Sequence, residues 1–170
     1  MIKAILPFET TFLDYPDNES LAMIVRFLGC DNSCEGCQNK DLKDINFVGG
    51  KEISINDFGF YIKEGMLNNK TNKLVLSGGD PLANCNIDFT KDILLHFGKL
   101  FDICIYTGKD IDFVKRNNIK GFKFIKVGNY DLTKKCLPDK TDDYFQLAST
   151  NQGLYDNDYK LLSSNGKYLF

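Results

Sequence analysis

The chain has 170 residues, 43% of them hydrophobic and 26% charged, with a formal net charge of −2. Such a length and apolar content suit one globular domain with a buried core, since domains commonly run to about 100–200 residues. Lys, Asp and Glu are interspersed without a basic stripe, which excludes the electrostatic footprint of phosphate-backbone binding and, with it, nucleic acid as an expected partner.

The N-terminal stretch MIKAILPFETTFLDYPDNES lacks the long apolar run of a secretory signal. No later segment approaches the roughly 18 uninterrupted apolar residues of a membrane span, so a cytoplasmic protein with no membrane partner is expected. Thiols stay reduced in that compartment, and the six cysteines read as ligands or buried thiols rather than as a disulfide framework.

LAMIVRFLG (Leu21 to Gly29) is a short apolar run, partly β-branched and ending in Gly, which predicts a buried strand leading straight into a cysteine-rich loop. Ser54 with Asp57 three residues on resembles a helix N-cap. Phe58, Tyr61, Ile62 and Met66 follow at helical spacing, predicting a helix from about Ile55 to Met66. KLVLS (Lys73 to Ser77) reads as a second strand opening into Gly78-Gly79-Asp80-Pro81, with a helix over Asp88 to Leu100. FDICIYTG (Phe101 to Gly108) reads as a third strand, Asp110 to Asn117 as a helix, and GFKFIKVG as a fourth strand. Alternation of this kind predicts parallel strands joined by crossover helices.

Beyond Tyr130 the pattern weakens to a polar stretch, a strand at FQLAS, and a closing segment whose Asn165-Gly166 suggests a hairpin. No repeat or linker divides the chain, so a single domain over residues 1–170 is expected, with 153–170 as an unassigned extension. The strand-helix units are too few for an eight-stranded barrel. The expected fold class is α/β, an open, partial β/α barrel with a mostly parallel sheet. In such folds sites form at the carboxyl ends of strands, where both the cysteine loop and the double-glycine loop fall.

GCDNSCEGCQN places Cys30, Cys34 and Cys37 at C-x3-C-x2-C. A 4Fe-4S cube normally takes four cysteines, so three close ligands imply a distant fourth or an open iron. An open iron can take the amino and carboxylate groups of S-adenosylmethionine and bring its sulfonium close to a one-electron donor. A zinc site more naturally shows paired C-x2-C units or added histidines, yet the only histidine, His96, lies inside a predicted helix. Cys104 sits in an apolar strand pattern and reads as a small buried hydrophobe, while Cys136 has no partner spacing. Cys85 follows the double-glycine loop closely; were it to close the cluster, the radical chemistry would be lost.

LSGGDPL (Leu76 to Leu82) has the residue types for close backbone approach, with Asp80 as an acceptor for an ammonium group. Taken alone, it also fits an ordinary strand-to-helix turn capped by Asp80 with Pro81 near the helix start. Together the two loops resemble the radical S-adenosylmethionine superfamily. Within it, the details resemble the activating proteins of anaerobic ribonucleoside-triphosphate reductase: Gly29-Cys30, Cys34-Glu35-Gly36-Cys37-Gln38-Asn39, and Leu76 to Leu82. Tyr106-Thr107-Gly108 and Ser149-Thr150-Asn151-Gln152 extend the resemblance, which runs from about Leu21 to Gln152. Val127-Gly128-Asn129 departs from it, because the family commonly has Asp-Gly followed by a basic residue there.

The resemblance implies a 4Fe-4S cluster on Cys30, Cys34 and Cys37. It implies S-adenosylmethionine as cofactor, with Gly78, Gly79, Asp80 and Pro81 receiving the methionine amino group and Asn39, Thr107 and Asn151 as further contacts. The implied partners are the large glycyl-radical subunit of the reductase and a reducing, flavodoxin-like electron donor. A pyruvate formate-lyase activase, a carboxy-deazaguanine synthase type of enzyme, and a structural zinc module using Cys30, Cys34, Cys37 and Cys85 are the competing readings.

Overall fold

The computed structural model describes residues 1–17, 21–137 and 144–170. In chain order these form strands β1 (Ile2–Ile5), β2 (Glu9–Thr11), β3 (Ala22–Phe27) and β4 (Gly50–Ile53), helix α1 (Ile55–Asn69), strand β5 (Lys73–Gly78) and helix α2 (Ile87–Phe97). Strand β6 (Asp102–Tyr106), helix α3 (Ile111–Arg116) and strands β7 (Phe124–Val127), β8 (Tyr144–Gln146), β9 (Gly153–Asp156) and β10 (Lys167–Leu169) complete them.

Strands β3, β5, β6 and β7 lie side by side and run parallel. They are the four predicted strands; β3, β5 and β6 read as nearly continuous apolar runs because both of their faces are covered, while β7 alternates. Met23, Val25 and Phe27 of β3 point to one side with Leu74, Leu76, Ile103, Ile105, Ile125 and Val127. There they meet Phe58 and Ile62 of α1, Phe89 and Ile93 of α2, and Val114 of α3. Ala22, Ile24, Val75 and Cys104 point to the other side, against Tyr15.

The sheet extends beyond its parallel centre in ways the apolar runs did not announce. Its order is β4-β1-β3-β5-β6-β7-β9, with β2 also on β3, and the flanking strands pair antiparallel. No pairing among the described residues joins β4 to β9, so no closed barrel forms. The fold is a mixed α/β arrangement with a mostly parallel central sheet.

Helix boundaries shift from the predicted ones for local reasons. Helix α1 begins at the expected capping box, Ser54 with Asp57, but runs one turn past Met66 and stops at Lys70 in the left-handed region, φ 52°. Helix α2 begins at Ile87, one residue before the predicted Asp88, and ends before Gly98, short of the predicted Leu100. A Cβ at Gly98 would lie 2.3 Å from the Gly121 carbonyl oxygen, so the residue that follows the helix has to be glycine. The Asn165-Gly166 turn forms, with φ of 48° and 75° and paired bonds between Ser164 and Lys167. The strand that follows it, β10, pairs with β8 instead of extending a hairpin.

Candidate functional site

The carboxyl end of β3 points the chain into the cysteine loop through Gly29, whose φ is +91°. The next strand in the sheet, β5, ends in Gly78 and Gly79, and the two loops are stitched by their backbones. Gly79 N donates to Phe27 O (2.8 Å), Asp80 N to Gly29 O (2.8 Å), and Gly29 N to Leu42 O (2.9 Å). A Cβ on Gly79 would lie 2.3 Å from the Gly29 oxygen and 2.7 Å from the Leu42 oxygen, so this approach needs glycine. Asn39 Nδ2 donates to Gly78 O (3.1 Å), and buried Asn86 donates to both Leu28 O and Asp80 O (2.9 Å each).

Cys30, Cys34 and Cys37 are free, partly buried thiols that line one cleft. Gly78, Gly79, Asn39 and Thr107 line it too. Asp80, Pro81 and Asn151 do not face it.

Asp80 stands behind the wall, 1% exposed. Its Oδ1 accepts from Leu82 N (2.8 Å), and its Oδ2 from Asn32 Nδ2 (2.7 Å) and Gly108 N (3.0 Å). One carboxylate thus ties together the loops after β3, β5 and β6. Burial raises its pKa above the ordinary carboxylate range, against the pull of Leu82, Thr107, Gly108 and Asn32. The turn after Asp80 is the Asx turn onto Leu82, not the cap of a helix beginning near Pro81.

Thr107, 4% exposed, donates its backbone N–H to Lys126 O (2.9 Å), and its Oγ accepts from Lys109 N (3.0 Å). Asn151 is exposed and donates to Asn129 O (2.9 Å), while its neighbour Gln152 lines the cleft and donates to Gly128 O (3.0 Å). Cys85 is exposed and is not among the residues lining the cleft; its Sγ packs against Gly29, 2.6 Å from where a Cβ would stand. Cys104 is fully buried between strands, as its pattern predicted. Cys136 lies beside Gly166 and Thr150.

The donor set fits an iron-sulfur cluster. Among the described residues, no three Cys, His, Asp or Glu side chains converge where one ion would sit. A cluster does not require such convergence, because each thiolate binds a different iron. Asn32 directs its backbone N–H (3.4 Å) and its side-chain amide (3.5 Å) at Cys30 Sγ, the kind of donor that tunes a cluster thiolate. Burial pushes the Cys30 thiol up, with the Asn32 donors opposing it.

Sequence reasoning passed over Asn32, Tyr106, Lys126 and Gln152. Tyr106 and Gln152 both fall inside motifs named above, which single out Thr107 and Asn151 instead. A signal for Lys126 existed: in GFKFIKVG it alternates with Ile125 and Val127, which places a lysine on a buried face of the sheet.

A family model described as a 4Fe-4S single cluster domain matches residues 19–140. No curated protein matches the chain. No helix among the described residues is long and apolar enough to cross a membrane.

Proposed function

The chain belongs to the 4Fe-4S single cluster domain family, and from that premise we propose that it is a radical S-adenosylmethionine activase. Its substrate in this reading is the large subunit of anaerobic ribonucleoside-triphosphate reductase, on which it generates a glycyl radical. The observation that carries the reading is the make-up of one cleft: the thiols of Cys30, Cys34 and Cys37 and the Gly78-Gly79 edge face it, and Cys85 does not. Three cysteines without a fourth leave one iron for a cofactor.

When bound, the cluster supplies one electron, taken from a flavodoxin-like donor, to break the 5′ carbon-sulfur bond of S-adenosylmethionine. That chemistry would serve to remove one hydrogen atom from a glycine Cα of the reductase subunit, with methionine and 5′-deoxyadenosine as the by-products. The chain's own residues position these groups. Cys30, Cys34 and Cys37 hold the irons, and the donors of Asn32 stabilise the Cys30 thiolate. An ammonium at the double-glycine edge would be met by backbone carbonyl oxygen rather than by Asp80, whose carboxylate is already taken by its own donors. Asp80 is then a positioning residue. A partial barrel of the radical S-adenosylmethionine type is the architecture this reading assigns to the sheet.

Anaerobic reconstitution tests the proposal. The wild type is expected to bind about four irons per chain and, with dithionite, to release 5′-deoxyadenosine. Cys34→Ala loses both properties and Cys85→Ser keeps both. Colourless stoichiometric zinc, or no 5′-deoxyadenosine released by the wild type, sinks the radical reading, whereas cleavage lost only in Cys85→Ser sinks the assignment of Cys85 as a bystander. A glycyl-radical spin signal in anaerobic reductase mixed with the protein tests the partner, and its absence alongside intact cofactor cleavage sinks the reductase assignment alone.

A further inference from the structure

We infer that Lys126 is an anion-binding residue of this cleft, and that the ligand held there sets a carboxylate over the Lys126–Tyr106 pair. The inference rests on the cleft being the cofactor site proposed above, and it concerns a residue outside the cysteine and glycine motifs.

Tyr106 and Lys126 are register partners on adjacent parallel strands. Their neighbours Ile105, Ile125 and Val127 face the helices, so this pair faces the opposite side, where both line the cleft. Lys126 Nζ lies 3.9 Å from the centroid of the Tyr106 ring. The Tyr106 hydroxyl is turned away, donating to the Asp14 carbonyl.

Among the described residues Lys126 has no acid paired with it. Other lysines on the sheet and its loops find one, Lys109 with Asp31 and Lys123 with Asp102, but no hydrogen bond or ion pair among the described residues reaches Lys126 Nζ. The groups that act on it are the buried Cys104 thiol, whose burial keeps it protonated, and Asp14, whose Oδ2 accepts from Thr11 (2.6 Å). A partly buried ammonium without a counter-ion is costly, and a ligand anion removes that cost. Burial lowers its pKa to about 8, which leaves it a cation at neutral pH.

A single positive charge sets the chemistry of the ligand. Among the described residues no arginine and no second lysine line the cleft, so the fit is to one negative charge, a carboxylate, rather than to a phosphate dianion that gathers several cationic donors. Two sources share that chemistry: the methionine carboxylate of S-adenosylmethionine, or a separate small substrate.

The experiment compares wild type, Lys126→Met and Lys126→Arg. Calorimetry on anaerobically reconstituted protein measures S-adenosylmethionine and its decarboxylated analogue, which keeps the sulfonium. Mass spectrometry measures trinitrobenzenesulfonate labelling of Lys126 in cluster-free wild type with and without acetate, and in reconstituted protein with S-adenosylmethionine. If the cofactor is the source, Lys126→Met weakens it roughly ten- to hundredfold, leaves the analogue unchanged, and Lys126→Arg restores part of the loss. If a substrate is the source, cofactor binding is unchanged in Lys126→Met while acetate slows labelling. Unchanged cofactor binding together with labelling that neither acetate nor S-adenosylmethionine slows overturns the inference. Cofactor cleavage by wild type with Lys126 unprotected by either ligand sinks this inference alone; acetate protection in a protein that takes up no cluster on reconstitution sinks the activase reading alone. A melting point for Lys126→Met no lower than wild type shows that lost affinity is not lost folding.

Discussion

Asp80 and Lys126 are opposite solutions to one problem, a charged group inside the protein. Asp80 is surrounded by donors, so exchanging one of its oxygens for an amide nitrogen sets donor against donor. Asp80→Asn is expected to lower stability by about 2 kcal/mol, read from denaturant midpoints, and to loosen three loops at once. Lys126 lacks such partners, and its amine falls from 10.5 to about 8 on folding. Between those values the unfolded chain binds more protons than the folded one, so wild-type stability rises with pH across that window. Lys126→Met has no such slope. It is expected to be more stable than wild type at neutral pH, with the gain shrinking as pH climbs from about 8 to about 10; midpoints across that range check it.

At the scale of elements, local chemistry was readable wherever it was self-contained. The Ser54 capping box needs only residues three apart, and it forms as expected. Strands β3, β5 and β6 are legible because strands covered on both faces are nearly continuous apolar runs, and β7 because Ile125 and Val127 alternate with Phe124 and Lys126. Strands β1, β2 and β4 are short, carry charged residues and borrow their order from neighbours, so nothing in their own residues marks them. The double-glycine loop was legible as a close approach, but not what it approaches. Its partners are the Gly29 and Leu42 oxygens, and Gly79→Ala is expected to cost about 3 kcal/mol or more and to prevent cluster assembly, checked by unfolding and by iron content.

Across the whole molecule, β9 covers the edge of β7 and returns the Ser149-to-Gln152 segment to the end of that strand, where Gln152 donates to Gly128 O. Truncation after Gln152 exposes the β7 edge, and the shortened chain is expected to aggregate and to lose cooperative unfolding, seen by light scattering and by the breadth of the melt. Tyr15 fills the sheet face below the cleft from a polar stretch that gave no hint of it, edge-on to Phe124 at 5.8 Å. By itself the sequence determined what depends on near neighbours: the cysteine spacing, the strand and helix alternation, the capping box and the tight turn at Asn165-Gly166. Only the tertiary structure decided that Asp80 looks away from the cleft, that Cys85 lies outside it and that Lys126 lies within. Those three outcomes depend on which loops meet above the sheet and which face of a strand is covered, and such contacts join residues up to roughly a hundred positions apart, for which local pattern carries no record.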